Sequence, residues 1–556
     1  MKIDRRKFFK TVGTGTAALG LGSMVPLSSY ASPEMSAKND DDSQILFIGD
    51  DIAIADTAYG KVKGYILRDV YTFLGIPYGA DTSGKNRFMA PKEPEPWEGI
   101  KPAVYYGNTA PQNMDNRFPN SYSTFADHWN YDDVSENCLS INVWTPGIND
   151  NGKRPVMVWL HGGGYTNGNG IEQDGYHGAN ISKYGNIVFC SINHRLGPIG
   201  FSDLSGVGGE KYKDSANVGM LDIIAALRWV NKNIANFGGD PGNVTIMGQS
   251  GGGAKVCTIL AMPEAQWLVH KGVALSGSTT GALSQDYSRK LGEYILQEAG
   301  VTRDEIDELQ NIPWKEYLAI ANAAATKLNK ELGTTGMMRG GFAPVADGIH
   351  LPKETFYSDA TSYEADVPLL ICTTFHEWSP SRTDPVIEKI TMEGVIEKVR
   401  ATRGDKAPAI VSAYAKAFPN VKPIELYAMI LSSRQGAVNT AEAKLKQPAP
   451  VYMAWFGWQP PLFDNRMRAF HCLDICFWYK NTDLMYTHTG GGARPRKLSV
   501  KMADALLSFM KNGDPNGGAL PKWPRYSSEK GEVMVLNDTC EVMNDPDREA
   551  RMTLNG

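Results

Sequence analysis

The chain has 556 residues, of which 42% are hydrophobic and 21% are charged, values that are ordinary for a globular protein. Its formal net charge of −5 offers no basic surface of the kind that nucleic-acid-binding proteins use, so we expect no nucleic-acid partner. Beyond the N-terminal segment, no apolar run reaches the roughly 18 residues that a membrane span needs, so we expect no span in the mature chain.

The N-terminal segment, residues 1–31, has the features of a twin-arginine export signal. Arg5 and Arg6 precede a pair of phenylalanines, a modest apolar run follows, and Ala31 ends a stretch of small residues suited to a signal peptidase. A basic N-terminal arm or a membrane anchor is the alternative. The signal predicts a bacterial protein that is exported to the periplasm or secreted.

The remainder is predicted to be a polar linker, residues 32–44, followed by one domain at 45–556, because large α/β enzymes often fill such a length as one unit. The seven cysteines make an odd number, so at least one is free or pairs outside the chain. None of their spacings has the form of a zinc site, and whether any disulfide forms stays open.

The first chemical motif is the glycine-rich stretch His161-Gly162-Gly163-Gly164-Tyr165, which follows a buried strand predicted at 155–160. A backbone that points two N–H groups at one oxygen needs residues without obstructing side chains, and consecutive glycines supply that. We therefore predict that Gly163 and Gly164 form part of an oxyanion hole. A phosphate-binding loop is the alternative, but no Gly-Lys-Ser/Thr follows.

The second motif is Gly248-Gln249-Ser250-Gly251-Gly252, placed between a predicted strand at 243–247 and a predicted helix. A serine between glycines on a tight strand-to-helix turn is typical of a nucleophile elbow, in which strained backbone raises the hydroxyl above the sheet. Ser250 is thus the candidate nucleophile, and the N–H of Gly251 is a candidate third donor to the oxyanion.

The two motifs together predict the fold class. An oxyanion loop upstream of a nucleophile elbow is the chain order of an α/β-hydrolase. We therefore expect an α/β-hydrolase fold with a central, mostly parallel sheet flanked by helices, and with large loop and helical insertions.

Further segments extend this pattern along nearly all of the chain after the linker. The chain resembles the type-B carboxylesterase/lipase family, which includes the cholinesterases and bacterial p-nitrobenzyl esterases. The resemblance is carried by the two motifs above and by Glu136-Asn137-Cys138-Leu139, Asn193-His194-Arg195-Leu196-Gly197, Phe237-Gly238-Gly239-Asp240-Pro241-Gly242-Asn243 and Pro344-Val345-Ala346-Asp347-Gly348.

The resemblance implies a triad that completes Ser250. A serine needs a base, and the base needs an acid that holds its tautomer, in the order Ser, Asp or Glu, His for this fold. Of the nine histidines, His471 matches the histidine segment of the family. The resemblance places the acid at Glu377, after a strand predicted at 368–374, with Asp347 and Asp474 as alternatives.

Two residues depart from the pattern of the family. Gln249 stands where a glutamate usually precedes the serine, and Gly251 stands where an alanine usually follows it. Gln249 and Tyr165, which adjoin the nucleophile and the glycine loop, are the predicted substrate-binding residues. Because Gln249 is neutral, we expect a preference for uncharged esters.

These features predict a serine carboxylesterase that acts on a small-molecule ester through an acyl-enzyme intermediate, with no metal and no organic cofactor. One alternative is a catalytically silent binding module of cholinesterase-like fold. Another is the same triad acting on an amide, lactone or carbamate bond, since the acyl-transfer machinery is shared. The natural substrate and the oligomeric state stay open.

Overall fold

A large mixed β-sheet is the framework of the protein. The computed structural model describes residues 44–114, 133–334, 341–357 and 366–556, so the predicted export signal and most of the predicted linker lie outside the described residues. The strands in these ranges are β1 Leu46–Phe47, β2 Ile54–Thr57, β3 Gly60–Lys63, β4 Tyr65–Leu67, β5 Val70–Pro77, β6 Ile100–Pro102, β7 Ser140–Thr145, β8 Arg154–Leu160, β9 Val188–Ile192, β10 Gly239–Gln249, β11 Lys271–Leu275, β12 Leu283–Ser284, β13 Val345–Ala346, β14 Leu369–Thr374, β15 Val451–Phe456, β16 Glu532–Leu536 and β17 Glu541–Asn544.

The main sheet has 12 strands in the order β1-β4-β5-β7-β9-β8-β10-β11-β14-β15-β16-β17. Its centre, from β9 through β8, β10, β11, β14 and β15 to β16, is parallel throughout. The outer strands pair antiparallel. This arrangement confirms the predicted α/β-hydrolase fold with a mostly parallel central sheet.

Helices cover the sheet and supply the insertions. They are α1 Ala179–Gly185, α2 Gly197–Phe201, α3 Ser205–Gly208, α4 Val218–Asn233, α5 Gly251–Leu260, α6 Gln285–Ala299, α7 Trp314–Glu331, α8 Met392–Arg403, α9 Ala407–Ala417, α10 Pro423–Leu431, α11 Gln435–Lys444, α12 Ile475–Trp478, α13 Tyr486–Thr489, α14 Ala493–Asn512 and α15 Arg548–Asn555. None of the helices in the described ranges combines the length and apolar character that a membrane crossing requires.

The core lies on both faces of the sheet because side chains alternate along each strand. In β8, Val156 and Val158 pack into the core on one face. Met157 and Trp159 pack into the core on the other face. Both faces are apolar because helices cover them, as is usual for parallel strands in α/β proteins.

The carboxyl ends of the parallel strands meet at one edge of the sheet. β8 leads into the glycine loop at 161–165, and β10 leads into Ser250. β14 ends three residues before Glu377. Loops after parallel strands form the ligand crevice of open α/β sheets, so this edge is where the site is expected.

Candidate active site

Ser250 occupies a strained turn between β10 and α5. Its backbone has φ 56° and ψ −124°, a conformation that non-glycine residues rarely adopt. The turn is held because the N–H of Ser250 donates to the carbonyl of Leu275 at 2.8 Å, while the Ser250 carbonyl accepts from Ala254 at 3.1 Å. Strain of this kind persists only where the surroundings impose it, and it is common at active sites.

The glycines after Ser250 allow α5 to lie directly against the ends of the neighbouring strands. A Cβ on Gly251 would lie 2.1 Å from the carbonyl oxygen of Gly164, and one on Gly252 would lie 2.0 Å from that of Leu160. Both contacts are far shorter than real Cβ atoms show. A side chain at 251, where relatives usually have alanine, would therefore require the backbone of the glycine loop to shift.

The glycine loop itself has left-handed backbone at two consecutive residues. Gly163 has φ 82° and Gly164 has φ 65°, which side chains would disfavour. The loop closes on itself because the N–H of Asn167 donates to the carbonyl of Gly163 at 3.0 Å. The structure thus brings together the three residues predicted for the oxyanion hole, Gly163, Gly164 and Gly251.

Glu377 and His471 form a hydrogen-bonded pair although they are 94 residues apart in the chain. The Nδ1 atom of His471 lies 2.5 Å from Oε2 of Glu377. Oε1 of Glu377 accepts the backbone N–H of Thr374 at 2.7 Å, and the N–H of His471 donates to the carbonyl of Glu377 at 3.2 Å. With Nδ1 donating to the carboxylate, Nε2 of His471 is the acceptor nitrogen of the ring, and the amide nitrogen of Gln249 lies 3.1 Å from it.

One cavity unites the predicted nucleophile, base and acid. Ser250, Glu377 and His471 line a cavity of about 230 Å³, together with residues that follow β11 and residues that connect α10 to α11. A serine, an imidazole oriented by a carboxylate and two adjacent glycine turns can perform nucleophilic acyl transfer.

Comparison with known proteins places the chain in a family. The sequence profile of the carboxylesterase family matches residues 51–554. The chain belongs to the carboxylesterase family. It is 32% identical over 510 residues to para-nitrobenzyl esterase of Bacillus subtilis, covering 90% of this chain and 98% of that one. It is 29% identical over 520 residues to phenmedipham hydrolase of Pseudarthrobacter oxydans, covering 90% and 99%.

Solved structures of carboxylesterases share the fold. An esterase of Clostridium hathewayi, described as hydrolysing aliphatic aromatic polyesters, has a TM-score of 0.78 and 31% identity, with 92% of this chain and 99% of that one covered. A carboxylesterase of Geobacillus stearothermophilus has a TM-score of 0.73 and 31% identity, covering 90% and 100%. The resemblance stated from the motifs is thereby confirmed.

In this carboxylesterase-family chain, a tryptophan covers the imidazole. The rings of Trp378 and His471 stack with centroids 4.7 Å apart and planes 28° apart. The indole is 60% exposed, and the backbone N–H of Trp378 donates to Oγ of Ser432 at 3.0 Å. Trp378 is not among the predicted site residues. The sequence did contain a signal for Trp378, because a tryptophan follows the predicted acid Glu377 at a position where relatives commonly have glycine.

Gln249 is buried against the imidazole and does not line the cavity described above. Its Nε2 lies 3.1 Å from Nε2 and 3.3 Å from Nδ1 of His471. Its Oε1 accepts a hydrogen bond from Sγ of Cys472 at 3.2 Å. The Gln249 side chain is therefore placed to influence the orientation of the His471 ring as well as the charge distribution of the site. Its predicted contact with substrate stays a prediction.

Tyr165 joins the glycine loop to α5. Its hydroxyl lies 3.3 Å from Oγ1 of Thr258, and its ring packs edge-on against Phe201. Burial raises the pKa of the phenol, so Tyr165 stays neutral near pH 7. Tyr165 also does not line the cavity described above, and its predicted contact with substrate stays a prediction.

The alternative acids occupy other roles. Oδ1 of Asp347 accepts the backbone N–H groups of three following residues, and its Oδ2 accepts Nδ2 of Asn217 at 2.8 Å. Asp474 is fully buried, and Oδ2 accepts Nε1 of Trp478 at 3.2 Å. Burial, reinforced by the nearby charge of Glu377, raises the pKa of Asp474 to about 7. Among described residues, neither is a hydrogen-bond partner of His471.

His376, next to Glu377, belongs to the core. It is buried, and its Nδ1 lies 3.3 Å from the backbone nitrogen of Ala469. Burial, aided by the positive charge of Arg468, lowers the pKa of His376 to about 3. The ring is therefore neutral near pH 7.

Proposed function

We propose that this protein is a serine carboxylesterase that hydrolyses carboxylic esters through Ser250, His471 and Glu377. The observation that carries the proposal is the 2.5 Å pair between His471 and Glu377 in the cavity that Ser250 lines. The carboxylate holds the imidazole in one tautomer, and that tautomer leaves Nε2 to take the serine proton.

In the first half-reaction, His471 removes the proton from the Ser250 hydroxyl as the oxygen attacks the ester carbonyl. The N–H groups of Gly163, Gly164 and Gly251 stabilise the resulting oxyanion, and loss of one such donor typically costs about 10²–10³ in rate. The protonated imidazole then gives its proton to the departing alcohol.

In the second half-reaction, water attacks the acyl-enzyme with His471 again as the base. The positive imidazole that forms in both halves lies between the carboxylate of Glu377 and the face of Trp378. A ring face attracts a cation by about 0.5–2 kcal/mol, so the indole supports the charged form of the base.

The test is covalent capture of the nucleophile. A sulfonyl fluoride should add one equivalent of label to the protein, and peptide mapping should place it on Ser250. Hydrolysis of p-nitrophenyl butyrate should fall by about 10⁴ in Ser250→Ala and in His471→Ala, since members of a triad act as a unit. Labelling of another serine, or retention of a tenth of kcat by either variant, would disprove the assignment.

The same experiment addresses the binding-module alternative, which predicts neither labelling nor turnover. A parallel panel of lactone, amide and carbamate analogues would determine which bond is cleaved fastest. We propose esters because the relatives are named as esterases.

We also propose that residues 1–31, which lie outside the described residues, direct export through the twin-arginine pathway. Support comes from the Arg5-Arg6 pair and the apolar run that follows it. Replacing both arginines by lysine should leave the protein in the cytoplasm of a bacterial host. Cell fractionation would show it, and unchanged export would refute it.

A further inference from the structure

We propose that Lys255 is a positioning residue for the oxyanion hole, because it holds the start of the glycine loop against α5. The inference rests on the proposed function, in which the N–H groups of Gly163, Gly164 and Gly251 stabilise the oxyanion. It adds a side chain that acts through the backbone of the loop rather than on the reacting atoms.

The oxyanion donors come from two separate segments. Gly163 and Gly164 belong to the loop that follows β8, whereas Gly251 is the first residue of α5. The two segments lie so close that a Cβ on Gly251 would be 2.1 Å from the carbonyl oxygen of Gly164. Donors from two segments point at one oxygen only if the segments keep a fixed relative position, and a misplacement of about 1 Å can cost about 10² in rate.

Lys255 joins these two segments directly. It lies on α5, one helical turn after Gly251, and its side chain is fully buried. Its Nζ donates to the backbone carbonyl of His161, the first residue of the loop, at 3.0 Å. Because His161 is also fully buried, no bulk water is at hand to replace this donor if it is removed. The hydrogen bond therefore fixes the point at which the loop leaves β8 relative to α5.

The orientation set at His161 is passed on to a donor peptide. In a trans peptide the carbonyl of one residue and the N–H of the next point in opposite directions, so a hydrogen bond to the carbonyl also aims the N–H. Nδ1 of His161 donates to the carbonyl of Gly162 at 2.9 Å. That carbonyl shares its peptide with the N–H of Gly163. Lys255 thus holds the residue whose side chain orients the first oxyanion donor.

The hydrogen bond of Lys255, rather than its charge, is the feature that positions the loop. Burial lowers the pKa of Lys255 to about 7, an effect that the negative charge of Glu172 opposes. Burial and the nearby lysine lower the pKa of both His161 and His194. A neutral amine still has two N–H groups, so the donation to His161 persists on both sides of pH 7.

The test uses two substrates that differ in one atom. p-Nitrophenyl butyrate develops negative charge on oxygen, whereas its thionoester analogue develops that charge on sulfur, which is larger and accepts weaker hydrogen bonds. The ratio of their kcat/KM values, divided by the ratio of their hydroxide-catalysed rates, measures how well the hole stabilises oxygen. We expect this ester-to-thionoester ratio to be about 10² or more for the wild type.

The variants remove one amine each. Lys255→Met deletes the donor to His161 and keeps an unbranched side chain, and Lys255→Leu is a second variant without a donor. Lys444→Met is the matched control, because Lys444 is also fully buried and its Nζ donates to Oε1 of Gln447 at 2.6 Å, outside the glycine loop. Thermal unfolding of each variant establishes that the rates belong to folded protein.

We expect Lys255→Met to lower kcat/KM for the ester by about tenfold or more and to lower the ester-to-thionoester ratio by about fivefold or more. KM should change by less than about twofold, because the lost stabilisation belongs to the transition state. Lys444→Met should leave the ratio unchanged.

Unchanged rates would overturn the inference. Equal losses with ester and thionoester would also overturn it, since the lysine would then act on the nucleophile or on the fold rather than on the oxyanion hole. Failure of both Lys255 variants to fold would overturn it in the same way. Wild-type turnover that depends on Ser250 would leave the proposed function intact in these cases, whereas absence of turnover with every ester would refute the proposed function itself.

Discussion

Lys255 donates a hydrogen bond from Nζ to the backbone carbonyl of His161 at 3.0 Å. Both residues are fully buried. Lys255 lies on α5, which begins at the nucleophile turn, and His161 begins the glycine loop. A buried lysine therefore ties together the two motifs that form the site, and no motif in the sequence pointed to it.

The lysine should cost stability in a pH-dependent way. Burial, opposed in part by the charge of Glu172, lowers the pKa of Lys255 from 10.5 to about 7. Between these values the unfolded chain binds one more proton at this position than the folded chain. Each unit of falling pH therefore lowers the free energy of unfolding by about 1.4 kcal/mol, and the cost is fully present below pH 7.

Lys255→Met should thus raise the free energy of unfolding, and the increase should be about 3 kcal/mol larger near pH 7 than near pH 9. Loss of the hydrogen bond to His161 should reduce the increase by about 1 kcal/mol at both pH values. Urea unfolding of wild type and variant at both pH values measures the difference. The exposed Lys153→Met should show no such dependence. An equal change for Lys255→Met at both pH values would mean that the lysine is not neutral in the folded protein near pH 9.

The acid assignment predicts a ranking of two adjacent variants. Glu377→Gln should lower kcat by about 10⁴ with little change in KM, because a carboxamide no longer holds the imidazole tautomer. His376→Ala removes a buried ring whose Nδ1 faces the backbone nitrogen of Ala469, so it should lower stability more than kcat. Steady-state kinetics and thermal unfolding of both variants give the ranking. The reverse order for kcat would remove Glu377 from the triad.

Gln249 should make the enzyme prefer uncharged esters. Butyrylcholine and its isostere 3,3-dimethylbutyl butyrate differ in charge, and we expect kcat/KM for the neutral ester to be at least as high. Gln249→Glu would place a carboxylate beside His471 and should move the ratio towards the cation. The shift should shrink with added salt. A wild-type preference for the cation above about tenfold, or 1.4 kcal/mol, would show that another group supplies negative charge.

His350 should stabilise the fold mainly at acid and neutral pH. Burial alone would lower its pKa, but hydrogen bonds to Glu264 and Asp214 outweigh it and raise the pKa of His350 to about 9. Nδ1 lies 2.6 Å from Glu264, and Nε2 lies 3.0 Å from Asp214. The contribution is full below the unfolded pKa of about 6.5 and is lost as pH rises through about 9.

His350→Gln should therefore lose roughly 1–2 kcal/mol more stability near pH 6 than near pH 10, a figure discounted for solvent screening of a partly exposed group. Chemical unfolding at the two pH values measures it. An equal loss at both would show that His350 acts through packing rather than through its charge.

The parts of the candidate site that are local could be predicted from the sequence alone. A tight turn before a helix demands small residues next to the serine, and a loop with two consecutive left-handed residues demands glycines. These demands fall on neighbouring residues, so Ser250, Gly163 and Gly164 can be found by pattern. Buried parallel strands are short apolar runs, which is why the strands at 155–160 and 368–374 were predicted within one residue of their observed bounds. The strand predicted at 243–247 covers only the middle of β10, Gly239–Gln249, because the strand begins in a polar, glycine-containing stretch without an apolar pattern.

Contacts between distant segments were decided only by the tertiary structure. Glu377 and His471 were proposed through resemblance, but their distance depends on how β14 and the loop after β15 pack. The stacking of Trp378 on the imidazole, the turn of the Gln249 amide towards His471 and the lysine under the glycine loop have no signature in neighbouring residues. Each depends on side chains that the folding of the sheet brings together from far along the chain, and local propensity does not encode such contacts.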